Sequence, residues 1–176
     1  MKRIAACRCG RVKLELTGQP ILASICHCRS CQRAGIELQS RSGAEPVLGA
    51  DLGTAFMLFR KDRVRPLNGA AHLAEYKLEP GSSTRRVVAT CCNTAMFLEF
   101  MNGHWLSIYM SCFEPAARVR PTLRTMTRDL DTPLADDEGI PAYATHSGTF
   151  MWKLLLAWAA MGFRAPKIDF VEGRLQ

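Results

Sequence analysis

The chain has 176 residues, enough for one compact domain with a substantial core, and its length does not demand a second. Hydrophobic residues make up 48% and charged residues 22%, a balance that excludes an intrinsically disordered chain. Lys and Arg number 23 against 16 Asp and Glu, so the net charge of +7 favours anionic partners. The arginines are scattered rather than grouped into a basic run, and we therefore do not expect nucleic acid as a partner.

The first ten residues, MKRIAACRCG, contain no apolar stretch long enough for a signal peptide, so we expect a cytoplasmic location. The eight cysteines include groups spaced C-x-C, C-x-C-x-x-C and C-C. In a reducing compartment such spacings favour thiolate ligands of a metal over disulfides.

Strand-like patterns dominate residues 1–113. Val12, Leu14 and Leu16 alternate with polar residues, which is the period of a half-buried strand. Further strand-like stretches lie at residues 55–59, 74–78, 85–89, 95–100 and 105–110, with turn-forming pairs such as Asn68-Gly69 between them. The spacing predicts a mainly β domain of antiparallel sheets.

Residues 114–148 differ in composition and are predicted to be an irregular surface connection. They contain four prolines and an acidic patch: Pro115, Pro121, Pro133, Pro141, Asp136, Asp137 and Glu138. A helix is predicted from 149 to 164, with Ser147 as its N-cap and Pro166 beyond its end. We expect residues 149–176, this helix and its tail, to pack on the same domain.

The predicted helix is apolar around most of its circumference. Its narrow stripe of charged and small residues consists of Lys153, Ala157, Ala160 and Arg164. This pattern predicts a helix buried on several sides or shared between the subunits of a homodimer, in preference to one attached to a membrane surface. Its apolar run is shorter than the roughly 20 residues that span a bilayer, so no transmembrane span is expected.

Cys26, Cys28 and Cys31 lie in the segment ICHCRSCQ, where the C-x-C-x-x-C spacing can turn three thiolates toward one point. Thiolates favour zinc, and a tetrahedral ion with three protein ligands keeps a fourth position for water or substrate. These cysteines are therefore predicted to form a catalytic site. Alternatively, Cys112 or His27 supplies a fourth ligand and makes the zinc structural.

Three residues beside this cluster are the predicted substrate contacts. His27 lies between two ligands, so its ring is expected to point away from the metal, with an ordinary structural histidine as the alternative. Arg29 and Arg33 are predicted to hold a substrate carboxylate, with solvated surface arginines as the alternative.

A second group begins with Cys7 and Cys9 in the segment ACRCGRV, which need two more ligands for a closed tetrahedral site. The remaining cluster is the adjacent pair Cys91-Cys92. Both can bind one ion only if the chain turns there, because successive side chains of a strand point to opposite faces. Asn93 favours such a turn, while the alternative leaves one of the two cysteines idle.

The runs CRCGRVKLEL and CHCRSCQRAG, followed by the cysteine pair near position 92, resemble the glutathione-dependent formaldehyde-activating enzyme (GFA) family over residues 5–113. The resemblance implies a β-rich, zinc-ribbon-like fold with two zinc ions. One is structural, on Cys7, Cys9 and the Cys91-Cys92 pair, and one is catalytic, on Cys26, Cys28 and Cys31. The chain departs from the family pattern C-x-x-C-G, because Ala89 replaces its first cysteine and Asn93 its glycine.

Members of this family are carbon-sulfur lyases that form S-hydroxymethylglutathione from formaldehyde and glutathione. The resemblance therefore implies a zinc-dependent lyase acting on a thiol–aldehyde adduct, with a small anionic thiol such as glutathione as partner and zinc as Lewis acid. The competing hypothesis is a non-catalytic zinc module that recruits a partner through its basic surface or apolar helix. A redox thiol switch fits the cysteine spacing less well.

Overall fold

Two β-sheets and two helices make up the described part of the chain. The structure, a computed structural model, describes residues 1–134 and 139–175. The helices are α1 (Arg29–Gln39) and α2 (Gly148–Ala159). The strands are β1 (Lys2–Ala6), β2 (Lys13–Thr17), β3 (Leu22–Cys26), β4 (Thr54–Arg60), β5 (Val64–Asn68), β6 (Leu73–Tyr76), β7 (Thr84–Ala89), β8 (Thr94–Phe100), β9 (Trp105–Tyr109), β10 (Arg124–Thr125) and β11 (Gly173–Arg174).

The larger sheet has the strand order β10-β3-β4-β9-β8-β7-β6-β11, and the smaller one has the order β1-β2-β5. All pairs are antiparallel except the two short edge strands, since β10 runs parallel to β3 and β11 runs parallel to β6. The prediction of a mainly antiparallel β fold with a C-terminal helix is confirmed. Buried side chains from both sheets form one hydrophobic cluster.

The sequence analysis did not predict helix α1 or strand β3, and each omission has a physical reason. Strand β3 is apolar at most positions and buried on both faces, so it shows no alternation of apolar and polar residues. Helix α1 buries a stripe of mostly small residues, namely Cys31, Ala34, Gly35 and Leu38. Three of these four residues are small, so the stripe does not stand out in the sequence as a stripe of large apolar residues would.

Helix α2 starts as predicted, because the Ser147 hydroxyl accepts a hydrogen bond from the Phe150 amide at 3.1 Å. It ends at Ala159, earlier than predicted, where the chain turns through Gly162 with a φ of 62°. The expectation that α2 is buried on several sides within the chain is wrong. Phe150 and Leu154 are buried, whereas Trp152 is 59% exposed and Leu156 is 51% exposed.

The described part of the stretch predicted as an irregular connection contains β10 and two single turns of 3-10 helix. Its acidic residues Asp136, Asp137 and Glu138 lie outside the described residues. Neither helix in the described part of the chain is both long enough and apolar enough to cross a bilayer.

Candidate metal centres and the adjoining cavity

Three cysteines meet where β3 passes into α1. Cys26 ends the strand, Cys28 occupies the N-cap position of the helix, and Cys31 lies in its first turn. The amides of Cys31 and Gln32 donate to the Cys28 carbonyl at 2.9 and 3.0 Å, which fixes the bend. The three sulfur atoms consequently lie within 4.8 Å of one another.

Hydrogen bonds among the three thiols give them different pKa values. Donation from Cys26 and Cys31 lowers the pKa of Cys28 to about 2. The same hydrogen bonding with Cys28 raises the pKa of Cys26 to about 11, and hydrogen bonds with Cys26 and Cys28 raise the pKa of Cys31. Ser30 adds a hydroxyl 3.4 Å from the Cys28 sulfur. The local structure therefore stabilises a thiolate at Cys28.

Both residues considered as a fourth ligand have other contacts. The Cys112 thiol is buried and donates to the Ala95 carbonyl at 3.2 Å. His27 is fully buried, and its Nε2 lies 3.1 Å from an Asp51 carboxylate oxygen. Among the described residues, the group that could hold an ion here consists of the three cysteines alone. This all-sulfur donor set fits a soft or borderline cation with an open coordination position.

Cys7, Cys9, Cys91 and Cys92 form a second group, with all four sulfur atoms within 4.8 Å of one another. The Cys7 sulfur lies 3.6 Å from that of Cys9 and 3.7 Å from that of Cys91, and the Cys9 and Cys91 sulfurs are 3.4 Å apart. A tetrahedral ion with zinc–sulfur bonds of about 2.3 Å separates its ligand sulfurs by about 3.8 Å. The spacing of this group therefore fits a closed four-sulfur site.

The adjacent pair takes part in this group because the chain turns between β7 and β8. Asn93 has a left-handed backbone with a φ of 54°, and its side-chain amide donates to the Ser42 carbonyl at 2.9 Å. The predicted turn is confirmed, and both cysteines face the Cys7–Cys9 pair. Burial opposes ionisation of Cys92, but hydrogen bonds from the Thr94 hydroxyl and nearby amides outweigh it and lower its pKa to about 6.

A cavity of about 330 Å³ opens beside Cys26, Cys28 and Cys31. Its floor is one face of the larger sheet, where Phe56, Leu58, Leu98 and Trp105 project from three neighbouring strands, and α2 forms a wall. A larger cavity of about 420 Å³ beside Asp51 and Arg124 is lined by none of the eight cysteines. We therefore regard the cavity next to the three cysteines, hereafter the cysteine cavity, as the candidate functional site.

Arg86 is the charged residue buried beside this centre, with 1% of its surface exposed. Its Nη2 donates to the Ser30 carbonyl at 3.0 Å and reaches the Ser30 hydroxyl at 3.3 Å. Its Nε and Nη1 have no hydrogen-bond partner in residues 1–134 and 139–175. Ser30 thus links a buried cation to Cys28.

The predicted substrate contacts lie outside the cysteine cavity. Arg29 and Arg33 line a neighbouring cavity of about 390 Å³ that also has Asp129 and Asp131 in its wall. Arg33 already pairs with two carboxylates, those of Glu37 at 3.1 Å and Glu79 at 2.9 Å. His27 is buried against Asp51, as described above, and is not among the residues that line either cavity.

Sequence reasoning missed the apolar walls of the cysteine cavity and the burial of Arg86. The period of two along β4 and β8 marks which residues share a face, but it does not say which face borders a cavity. Arg86 was visible only as part of the pair Arg85-Arg86 before the second cysteine group. Its contact Ser30 lies 56 residues away in the chain, and no local pattern records that pairing.

Comparison with known proteins shows to which family the chain belongs. No curated protein sequence matches it. A crystal structure of a Rhodobacter sphaeroides protein from a structural genomics programme is 20% identical, covering 81% of this chain and 100% of its own, with a TM-score of 0.46. The family model described as "Glutathione-dependent formaldehyde-activating enzyme" matches residues 2–129, which include both cysteine groups and end before α2. The chain therefore belongs to the glutathione-dependent formaldehyde-activating enzyme (GFA) family.

Proposed function

We propose that both cysteine groups bind zinc, giving a structural site on Cys7, Cys9, Cys91 and Cys92 and a catalytic site on Cys26, Cys28 and Cys31. The all-sulfur donors support this identity, because thiolates select zinc over the hard cations magnesium and calcium. The four-sulfur group would close its coordination shell and join the segment before β2 to the turn after β7. The three-sulfur group would leave one position open.

We further propose that the chain is a carbon-sulfur lyase acting on a thiol–aldehyde adduct. The observation that carries this proposal is the three-sulfur group at the wall of the cysteine cavity. When bound there, zinc supplies a Lewis acid that lowers the barrier to making or breaking a carbon–sulfur bond. The chain's own contribution is to hold a thiolate at Cys28, to set Arg86 and Ser30 beside it, and to shield the reacting atoms with apolar walls.

The anionic thiol partner follows from the family and from the charge of the chain. We propose glutathione or a similar small thiol, with Arg29 and Arg33 as anchors for its carboxylates and His27 as a support of the loop between two ligands. Arg29 directly follows Cys28 in the sequence and lines the neighbouring cavity. This cavity therefore lies beside the proposed metal centre. The +7 net charge attracts such an anion. A reducing, cytoplasmic location agrees with eight free cysteines.

The test of this function substitutes one cysteine and measures metal and turnover together. Cys28→Ser should lower the zinc content from about two ions per chain to about one and abolish adduct turnover. Cys112→Ser is the matched control, since this thiol lies outside both groups and a hydroxyl can also donate to the Ala95 carbonyl. Undiminished turnover by a well-folded Cys28→Ser variant would rule out the assigned site.

We also propose that a second copy of the chain packs on α2. Trp152, Leu155, Leu156 and Ala159 follow the helical spacing i, i+3, i+4, i+7 and are all exposed, and we call them the outer face of α2. An uncharged helix face of this kind is self-complementary across a two-fold axis. This homodimer is the arrangement that covers the apolar residues of α2 which the chain leaves bare.

A further inference from the structure

The lining of the cysteine cavity is mainly apolar. Beyond the three cysteines, its polar lining consists of serine and threonine hydroxyls and His146, with no Asp, Glu, Lys or Arg among the described residues. The remaining walls are aromatic and aliphatic side chains. A lining of this kind favours apolar groups, while the carboxylates of a thiol such as glutathione would lie outside it, at Arg29 and Arg33 in the neighbouring cavity.

The register of the sheet shows that the cavity is elongated. Phe56 pairs with Tyr109, Leu58 pairs with Ser107, and Leu98 also pairs with Ser107, so the floor runs from the level of Phe56 toward Trp105. Leu58 lies opposite Leu22, four residues from Cys26 along β3. At about 3.3 Å per residue, the floor at Leu58 is therefore roughly 13 Å along the sheet from the Cys26 level.

The far end is aromatic. Phe100 and Trp105 stack there with ring centroids 6.3 Å apart and an interplanar angle of 15°. Both line the cavity, as does Thr84, which pairs with Phe100. The cavity therefore leads from the thiolates to an apolar end suited to a ring or a branched chain.

The roof comes from a part of the chain that the family match does not include. Phe150, Met151 and Leu154 of α2 line the cavity, whereas the match ends at residue 129. Two contacts with His104 fix α2 in place. Its Nε2 donates to the Leu154 carbonyl at 2.9 Å, and its ring stacks on Trp158 at 5.7 Å with an interplanar angle of 8°.

We propose that the adduct on which this chain acts carries an apolar aryl or branched-alkyl group next to its carbon–sulfur bond, and that α2 selects for that group. This inference rests on the proposed lyase function. A cavity of about 150 Å³ is enough to hold benzene. The cysteine cavity, at about 330 Å³, holds an aryl group together with the reacting carbon, whereas the single carbon of formaldehyde leaves most of it unfilled.

The reaction needs no redox partner. In the forming direction the thiol sulfur bonds to the carbonyl carbon, the carbon–oxygen π bond opens, and the thiol proton ends on the oxygen. The product is a hemithioacetal, and cleavage reverses each step. The apolar group takes no part in the bond changes and can be attached to the carbonyl carbon or to the thiol.

Binding of two stable thioethers tests the inference without turnover. S-benzylglutathione and S-methylglutathione share the same peptide and differ in the group next to sulfur. Titration of the purified, metal-analysed protein by calorimetry should give a Kd at least about tenfold lower for S-benzylglutathione, the factor expected from burying one more apolar group of side-chain size.

Two variants of the cavity act on this preference in different ways. Phe150→Ala removes a wall of the roof, and Ser107→Leu fills the floor, so each should reduce the ratio of the S-methylglutathione Kd to the S-benzylglutathione Kd. Phe163→Ala is the matched control, because Phe163 lies beyond α2, is 59% exposed and does not line the cavity. It should retain the tenfold preference.

Equal affinities of the native protein for the two thioethers would overturn the inference. Turnover separates that result from a failure of the lyase function.

Benzaldehyde with glutathione tests an apolar group on carbon, and formaldehyde with phenylmethanethiol tests one on sulfur. Turnover of either pair supports the inference. Selective binding with no turnover of any pair would overturn the lyase function alone. Turnover of formaldehyde and glutathione with no thioether preference would overturn this inference alone.

Discussion

Arg86 presents the clearest energetic problem at the scale of single residues. A guanidinium with 1% of its surface exposed and two unpartnered nitrogens is costly to bury without a compensating negative charge. With zinc bound as proposed, the cysteine group beyond Ser30 would supply that charge, because three thiolates and one divalent cation sum to a net charge of −1. Arg86 and the proposed metal centre therefore stabilise each other.

This reasoning predicts that Arg86→Met weakens metal binding at Cys26, Cys28 and Cys31 by about 10- to 100-fold, the range found when contacts just outside a metal's ligands are lost. The measurement is zinc retained per chain during competition with a chelator. Metal at Cys7, Cys9, Cys91 and Cys92 should be retained, which also reports that the variant has folded. Arg128→Met, at a side chain that is 60% exposed, is the control. Equal retention in both variants would contradict the role of Arg86.

Both cysteine groups were recognisable from the sequence, whereas their surroundings were not. Closely spaced cysteines predict metal binding from the local sequence alone, because few functions other than metal binding need two or three thiols within six residues. Asn93 likewise signalled the turn that brings the adjacent pair to the second group. The burial of Arg86 depends on β7 lying beside the start of α1, and that packing is set by the whole sheet.

Among the elements, α2 is the one whose position decides the shape of the cysteine cavity. The sequence predicted its start and its apolar character, but not which face is buried, since nearly every face is apolar. Phe150 and Leu154 face the sheet because the Ser147 cap fixes where the helix begins and His104 fixes its second turn. A helix with so uniform a surface is oriented by its ends and polar contacts rather than by amphipathicity.

We expect Ser147→Ala to lower the free energy of unfolding by about 1 kcal/mol, because the Phe150 amide loses its acceptor at the start of α2. Urea denaturation followed by circular dichroism measures this change. Thr149→Ala serves as the control, since Thr149 is exposed inside the first turn and caps nothing. A loss of the same size in both variants would show that the cap does not stabilise the helix.

At the scale of the whole molecule, the two sides of α2 have opposite surroundings. Its inner side closes the cysteine cavity, while its outer face, Trp152, Leu155, Leu156 and Ala159, is exposed. A second copy packed there would cover these four side chains, none of which lines the cavity. Dimerisation and substrate selection would then depend on the same helix without sharing side chains.

Leu156→Glu tests this arrangement, because a carboxylate at the centre of an apolar two-fold contact meets its own copy and cannot be desolvated cheaply. Sedimentation velocity should show dimers for the native chain and monomers for the variant, while S-benzylglutathione binds the variant within about threefold of the native Kd, since Leu156 does not line the cavity. Ile36→Glu, at a helical side chain that is 55% exposed on α1, is the matched control and should remain dimeric. A native chain that sediments as a monomer at every concentration would exclude the dimer and leave the outer face of α2 to another partner.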